Sequence, residues 1–215
     1  LGIPAALTII TVFGLMLGFP FAGRLSQASK AAASSPLSRD FWLLAVSSAL
    51  VGFGFADWPL IAYHFAKAHI VLQPVIPILY AAAMGATGVG ALVFGRLFDS
   101  RGFVSLLPPV LIAAAAPPLV FLGGHIEAIA GTIFWGIALG VETSVLTAGV
   151  AHLVPREARA RAYGVFSAAF GIAWFVGSSA LGALYDVSLP ALVIVAVAAE
   201  IAAIFPLLMV VRARR

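Results

Sequence analysis

Cysteine is absent from this chain. Disulfides, thiolate chemistry and cysteine-based metal sites are therefore excluded. Charge is almost as scarce: only 9% of the residues are Asp, Glu, Lys or Arg, against roughly a quarter in a soluble domain. No phosphate-cradling glycine loop ending in Lys-Ser or Lys-Thr occurs, which excludes a P-loop ATP motor. The four histidines are scattered and form no metal-ligand constellation. No nucleophile is grouped legibly with a base, so the sequence does not read as an enzyme, and it implies no cofactor.

What the chain does have is apolar surface. It is 63% hydrophobic over 215 residues, with a mean hydropathy of +1.13. One core cannot bury that much, so the expected solvent is a lipid bilayer. The net charge of +4 resembles that of a nucleic-acid binder only until its positions are read. The basic residues sit in short breaks between apolar runs, which points to membrane topology instead. The first residue is Leu and lies inside an apolar run. That run is long for a signal sequence and has no basic segment before it. The chain is expected to be a fragment lacking its N-terminal part.

A spanning helix needs about 20 mostly apolar residues. Seven runs qualify: 1–22, 41–66, 72–98, 103–122, 126–150, 163–185 and 190–211. Their continuous apolar character argues against barrel strands, which are short and alternate in polarity. The fold expected is an all-α integral membrane protein with seven transmembrane helices. Eleven of the twelve basic residues fall in the 23–40, 95–102 and 151–162 breaks and at the C-terminus, which alternate along the chain; the opposite breaks hold Lys67 alone. By the positive-inside rule, those three breaks and the C-terminus are cytoplasmic. The compact loops suit a prokaryotic inner membrane.

The longest break, 23–40, is rich in Ala and Ser and reads as a flexible linker. It separates one leading helix, 1–22, from a six-helix bundle over 41–215. Those six divide into two triplets of opposite orientation. The middle helix of the first ends Gly95-Arg96-Leu97-Phe98-Asp99, and that of the second ends Gly182-Ala183-Leu184-Tyr185-Asp186. Inverted three-helix repeats of this kind characterise secondary transporters. Gly and Asp are also common at any helix terminus.

The stretch Gly95 to Gly102, GRLFDSRG, supports two explanations. As a plain cytoplasmic turn, Gly102 supplies a positive-φ residue and Arg96 and Arg101 hold the loop inside. Asp99 then precedes the next helix, where the positive end of the dipole favours a carboxylate. The pattern G-x-L-x-D-x-x-G also resembles the loop signature of the major facilitator superfamily. In that family twelve helices form two six-helix halves joined by a long cytoplasmic linker, and a weaker copy of the signature follows the eighth helix. The cluster Pro155 to Gly164, PREARARAYG, resembles the family's loop between the tenth and eleventh helices. The resemblance implies that 1–22 is the sixth helix, 23–40 the linker and 41–215 the C-terminal bundle. It also implies a cytoplasmic gating role for Gly95, Asp99, Arg101 and Gly102. Ser100 and Phe103-Val104 depart from the usual basic residues of the signature.

A charge at the bilayer centre costs at least about 2.5–3.5 kcal/mol, so each one needs a reason. Glu127 lies at a helix end and is set aside. Asp57 sits roughly 24 Å into the 41–66 helix, with His64 on the same face and Pro59 marking a kink between them. A carboxylate and an imidazole there suit substrate binding or proton relay; an interhelical bond and an interfacial histidine are the plain alternatives. Glu142 lies beside the Gly136-x-x-x-Gly140 packing face, among Thr143, Ser144 and Thr147. It is a second candidate for binding substrate or protons. In the resembled family both helices line the central cavity. Glu200 falls in the last helix, which is usually peripheral in that family, so an uncharged or neighbour-paired structural role is expected. The 163–185 helix carries Gly164, Ser167, Gly171, Trp174, Ser178 and Gly182 at spacings of three and four, a packing stripe. Pro108-Pro109 and Pro117-Pro118 are expected to bend the 103–122 helix.

The function these observations imply is transport of a small solute by alternating access, with protons as a candidate coupling ion and the missing N-terminal half of the same chain as partner. A stand-alone seven-helix receptor or sensor is the alternative. A retinal protein would need a lysine in the 190–211 helix, and none is there. An intramembrane enzyme would need a convergent catalytic group.

Overall fold

The computed structural model describes residues 36–214. The run 1–22 and most of the 23–40 linker lie outside them. Among the described residues there are helices and turns and no strand. The helices are α1 (Arg39–Gly54), α2 (Trp58–Lys67), α3 (Ile76–Arg101), α4 (Leu107–Phe121), α5 (His125–Val141), α6 (Thr147–Leu153), α7 (Arg159–Val187) and α8 (Leu189–Ala213). A wide π-turn, Glu142–Leu146, joins α5 to α6.

Five stretches are long and apolar enough to cross a membrane: Arg39–Lys67, Gln73–Phe121, His125–Leu153, Arg156–Val187 and Leu189–Ala213. The sequence led to six separate runs over this region. The difference lies at Gln73–Phe121, where the expected break is only a 3-10 turn, Gly102–Leu106, between α3 and α4. The 49 residues of that stretch exceed a single crossing of about 20 residues. Its two helices both pack against α5.

Several helix ends follow from sequence. Ser38 caps α1, its hydroxyl accepting from the Phe41 amide at 3.2 Å. α3 runs through Arg101 because no breaker precedes Gly102, whose φ of +61° ends it. The stretch Gly95 to Arg101 is therefore the final turns of a helix and not a loop. Asp99 sits at the C-terminal end of α3, the opposite dipole end from the one expected. Pro108 and Pro109 fall in the first turn of α4, where the missing amide costs nothing, while Pro117 and Pro118 lie inside it.

The first of these stretches, Arg39–Lys67, is broken rather than kinked. α1 stops at Gly54, Phe55 to Asp57 are extended or irregular, and α2 starts at Trp58 with Pro59 in its first turn. Proline lacks the amide that would reach the Phe55 carbonyl, and its ring crowds that carbonyl. The break is held by a partner helix: the Trp135 indole of α5 donates to the Ala56 carbonyl at 2.8 Å.

Small residues set the helix spacing. A Cβ added at Gly136 or Gly140 would collide with the backbone of Ala83 or Thr87 on α3, and one at Gly177 with that of Phe53 on α1. The Thr87 hydroxyl donates to the Gly136 carbonyl at 2.9 Å across the same contact. The core has two clusters. One surrounds Phe41, Leu44, Phe103 and Leu207 near the arginine-rich end. The other surrounds Phe55, Phe65, Trp135 and Leu192.

One face is bare. Only 17% of the most apolar part of α7 is buried, against 44–56% for the other stretches. Ile172, Phe175 and Val176 on α7 and Ile78, Val89 and Leu92 on α3 are exposed. Gly171 and Gly182 on α7, and Gly85 and Gly88 on α3, would meet nothing if given a Cβ. Part of the expected packing stripe of 163–185 thus faces outward.

Candidate functional site

Asp57 lies at the helix break, as the N-cap residue of α2. Its carboxylate accepts a short hydrogen bond from the Trp174 indole of α7. Asp57, Gly171, Trp174, Phe175, Ser178 and Ser179 line an open cavity of about 530 Å³ on the bare face. That size falls within the usual range for small-molecule sites. Three kinds of group converge there: a carboxylate, aromatic faces and two serine hydroxyls. The Ser178 hydroxyl is buried and has no partner among the described residues.

His64 does not share this site. Its Nδ1 is 3.0 Å from the Tyr185 hydroxyl, and its ring is buried beside Phe121 and Tyr185. Tyr185 lies about 16 Å along α7 from Trp174. The pairing of Asp57 with His64 on one helix face is thus corrected: Asp57 is the N-cap of α2 with an extended ψ of 148°, so its side chain does not follow the helical face that carries His64. Around His64 the outer ends of α2 and α7 are joined by Lys67, which pairs with Asp186 at 3.0 Å and lies over the Tyr63 and Tyr185 rings.

Glu142 opens the π-turn and is buried. The Ser48 hydroxyl of α1 donates to its Oε1 at 3.3 Å, and its Oε2 has no partner. Glu200 is buried as well, with its Oε2 unpartnered. It lies against Gly54, where an added Cβ would come within 2.7 Å of the Glu200 Cγ. α8 packs closely on α1 and α4, so Glu200 faces the bundle interior and not the periphery. Asp57 and Glu142 do not meet; one faces the open cavity and the other the interior.

Of the gating residues, Asp99 and Arg101 are exposed at the end of α3, and Gly95 has open space beside it. Phe98 is buried, stacking edge-on with His152 at 5.3 Å. Neither Asp99 nor Arg101 has an ion-pair partner among the described residues.

Two features escaped the sequence, and a third was half seen: Trp174 stood in a packing stripe and was also a candidate to present an edge to the cavity, but its bond to Asp57 left no sequence signal. Glu200 carried its own signal, a carboxylate in an apolar run, but its helix was assigned to the periphery. The π-turn left no local mark, since it depends on how α5 packs.

No family model matches the chain, and no solved structure matches it. The chain is 34% identical over 168 residues to the uncharacterised protein Mb2288 of Mycobacterium bovis. It is equally similar to the uncharacterised proteins MT2327 and Rv2265 of Mycobacterium tuberculosis. Each match covers 78% of this chain and 41% of the relative, so the chain spans about two fifths of the length of the curated relatives it matches.

Proposed function

We propose that the chain is the C-terminal six-helix half of a secondary transporter of major-facilitator type, moving a small solute by alternating access. Its crossings are α1–α2, α3, α4, α5–α6, α7 and α8. The arginine-rich ends face the cytoplasm of a bacterial inner membrane.

An internal two-fold pattern in the packing supports this. Take α1 to α4 as one triplet of crossings and α5 to α8 as the other. α3 packs on α5 as α7 packs on α1; α1 packs on α8 as α5 packs on α4; α4 and α8 pack on each other. Exchanging the triplets maps this set of contacts onto itself. The first crossing of each triplet is interrupted at about the same distance from its own start, at Phe55 to Asp57 and at Glu142 to Leu146. The two G-x-L-[F/Y]-D copies end the two middle crossings. Their aromatic residues contact corresponding partners: Phe98 meets His152 at the end of α6, and Tyr185 meets Lys67 at the end of α2. Interrupted helices in corresponding positions of inverted repeats are where transporters of this type place their binding sites.

The observation that carries the proposal is the cavity at Asp57. A broken helix presents a carboxylate to an open site on the bare α3 and α7 face, which a partner half would cover. With a carboxylate, Trp174 and Phe175 and no basic residue lining it, the cavity suits a solute bearing positive charge. Solutes that raise the melting temperature of the purified full-length chain are expected to be cationic. Asp57→Asn is expected to abolish their effect. Hits that bind Asp57→Asn as well as the parent contradict the assignment.

A further inference from the structure

Two carboxyl groups in the interior, Glu142 and Glu200, take no part in the solute cavity at Asp57. We propose that Glu142 and Glu200 together form a buried proton-binding site, separate from the solute cavity at Asp57. The proposal does not require that the chain transport anything.

Both side chains are more than nine-tenths buried, at 6% and 1% exposure. Each has an Oε2 atom with no hydrogen-bond partner among the described residues; both lie against α1, Glu142 at Ser48 and Glu200 at Gly54, and Ala113 lines the void beside each. Two ionised carboxylates cannot share such an interior without a compensating cation. The surroundings supply none. α1 contributes the Ser47 and Ser48 hydroxyls; Ser47 donates to the Ala203 carbonyl at 2.9 Å and Ser48 to Glu142. α4 contributes Pro109, Val110 and Ala113 beside Glu142, and Ala116 and Pro117 beside Glu200. α5 contributes Trp135, whose indole is engaged by Ala56. The Thr143 hydroxyl of the π-turn is turned back onto the Leu139 carbonyl. α8 itself contributes Ala196 and Ala203. No lysine, arginine or histidine among the described residues lines either neighbouring void or interacts with either carboxyl. A proton is the one cation that fits without further ligands.

The local structure suits a site that loads and unloads. A void of about 20 Å³ beside Glu142 is about the room one water molecule needs. Glu142 sits in a π-turn, a backbone form concentrated at functional positions. Glu200 rests on Gly54, the last residue of α1 before the break that carries Asp57. Protonation at the pair is thus linked to the Asp57 segment through three residues of irregular backbone.

The test is infrared difference spectroscopy of the purified full-length chain in lipid, with pH as the variable. The parent is expected to show a protonated-carboxyl C=O band that titrates reversibly and shifts in D₂O. Glu142→Gln and Glu200→Gln are each expected to remove a component of that band. Each should also move the midpoint of the remaining component by about one pH unit or more, as coupled groups must. Ser48→Ala, a milder change, is expected to move the midpoint while leaving both carboxyls in place. A titration identical in all three variants overturns the proposal, as does a parent with no titrating carboxyl band. Loss of solute binding in Asp57→Asn with the band intact leaves the proton site standing. A silent band with solute binding intact removes the proton site alone.

Discussion

Replacing Trp135 by phenylalanine isolates one hydrogen bond at the break between α1 and α2. The Trp135 ring stacks on Phe55 at 5.6 Å and tilts against Trp58 at 5.8 Å. Phenylalanine keeps much of that contact but cannot donate to the Ala56 carbonyl. No backbone amide reaches that carbonyl among the described residues, so it is left orphaned and buried. An orphaned buried polar group costs about 1–3 kcal/mol. Interhelical hydrogen bonds in membrane proteins average about 0.6 and reach about 1.7 kcal/mol, because the unfolded chain in the membrane also finds partners. Where the two ranges overlap, Trp135→Phe should destabilise by about 1–2 kcal/mol. Trp135→Ala adds a cavity and should cost about 3–5 kcal/mol. The assay is denaturant unfolding in micelles. The diagnostic is a double-mutant cycle with Pro59→Ala, which restores an amide able to reach the Phe55 carbonyl and lets α1 and α2 join. Once the break has healed, Trp135→Phe should cost less, giving a coupling well outside additivity. Trp135→Phe within about 0.5 kcal/mol of the parent, or strict additivity with Pro59→Ala, would refute this account of the break.

Gly136→Val should separate α3 from α5 and cost about 1–3 kcal/mol by overpacking, whereas Gly85→Val on the bare face should leave the isolated bundle's unfolding unchanged. Lys67→Ala breaks a pair whose side chains are 49% and 73% exposed, so the unfolding midpoint should stay close to the parent's. A larger effect would show that the ring contacts with Tyr63 and Tyr185 dominate. Asp99→Ala should leave membrane insertion and folding intact and slow transport by the full-length chain. Unchanged transport kinetics would remove the gating role carried over from the family resemblance.

The helical, strongly apolar character of the chain was legible at once, because composition and run length bound it without reference to packing. Small residues at helical spacing were legible too, but not what they face. Gly136 and Gly140 meet the backbone of α3, whereas Gly171 and Gly182, in an equally regular stripe, meet nothing. Spacing defines a face, and only the neighbours decide whether it is covered. Asp57 was legible as a costly buried charge. Its separation from His64 was not, because Asp57 caps α2 with extended backbone, and the break there depends on an indole donated from another helix. The GRLFDSRG stretch read as a loop because it is polar; it stays helical because polarity does not break a helix and Gly102 comes only at its end. Glu200 was displaced to the periphery by analogy with the resembled family, when its own burial cost already called for an interior partner.

The central claim is that the Asp57 cavity opens alternately to the two sides of a membrane. A direct measurement is Ser179→Cys in the full-length chain, with any cysteine outside these 215 residues replaced, probed with a membrane-impermeant thiol reagent added to one side or the other of sealed vesicles; Ser179 is exposed and lines the cavity. Labelling from both sides, with a cationic solute slowing both and Asp57→Asn removing that protection, is the result the account predicts. Labelling from one side only, whatever the solute, would contradict it.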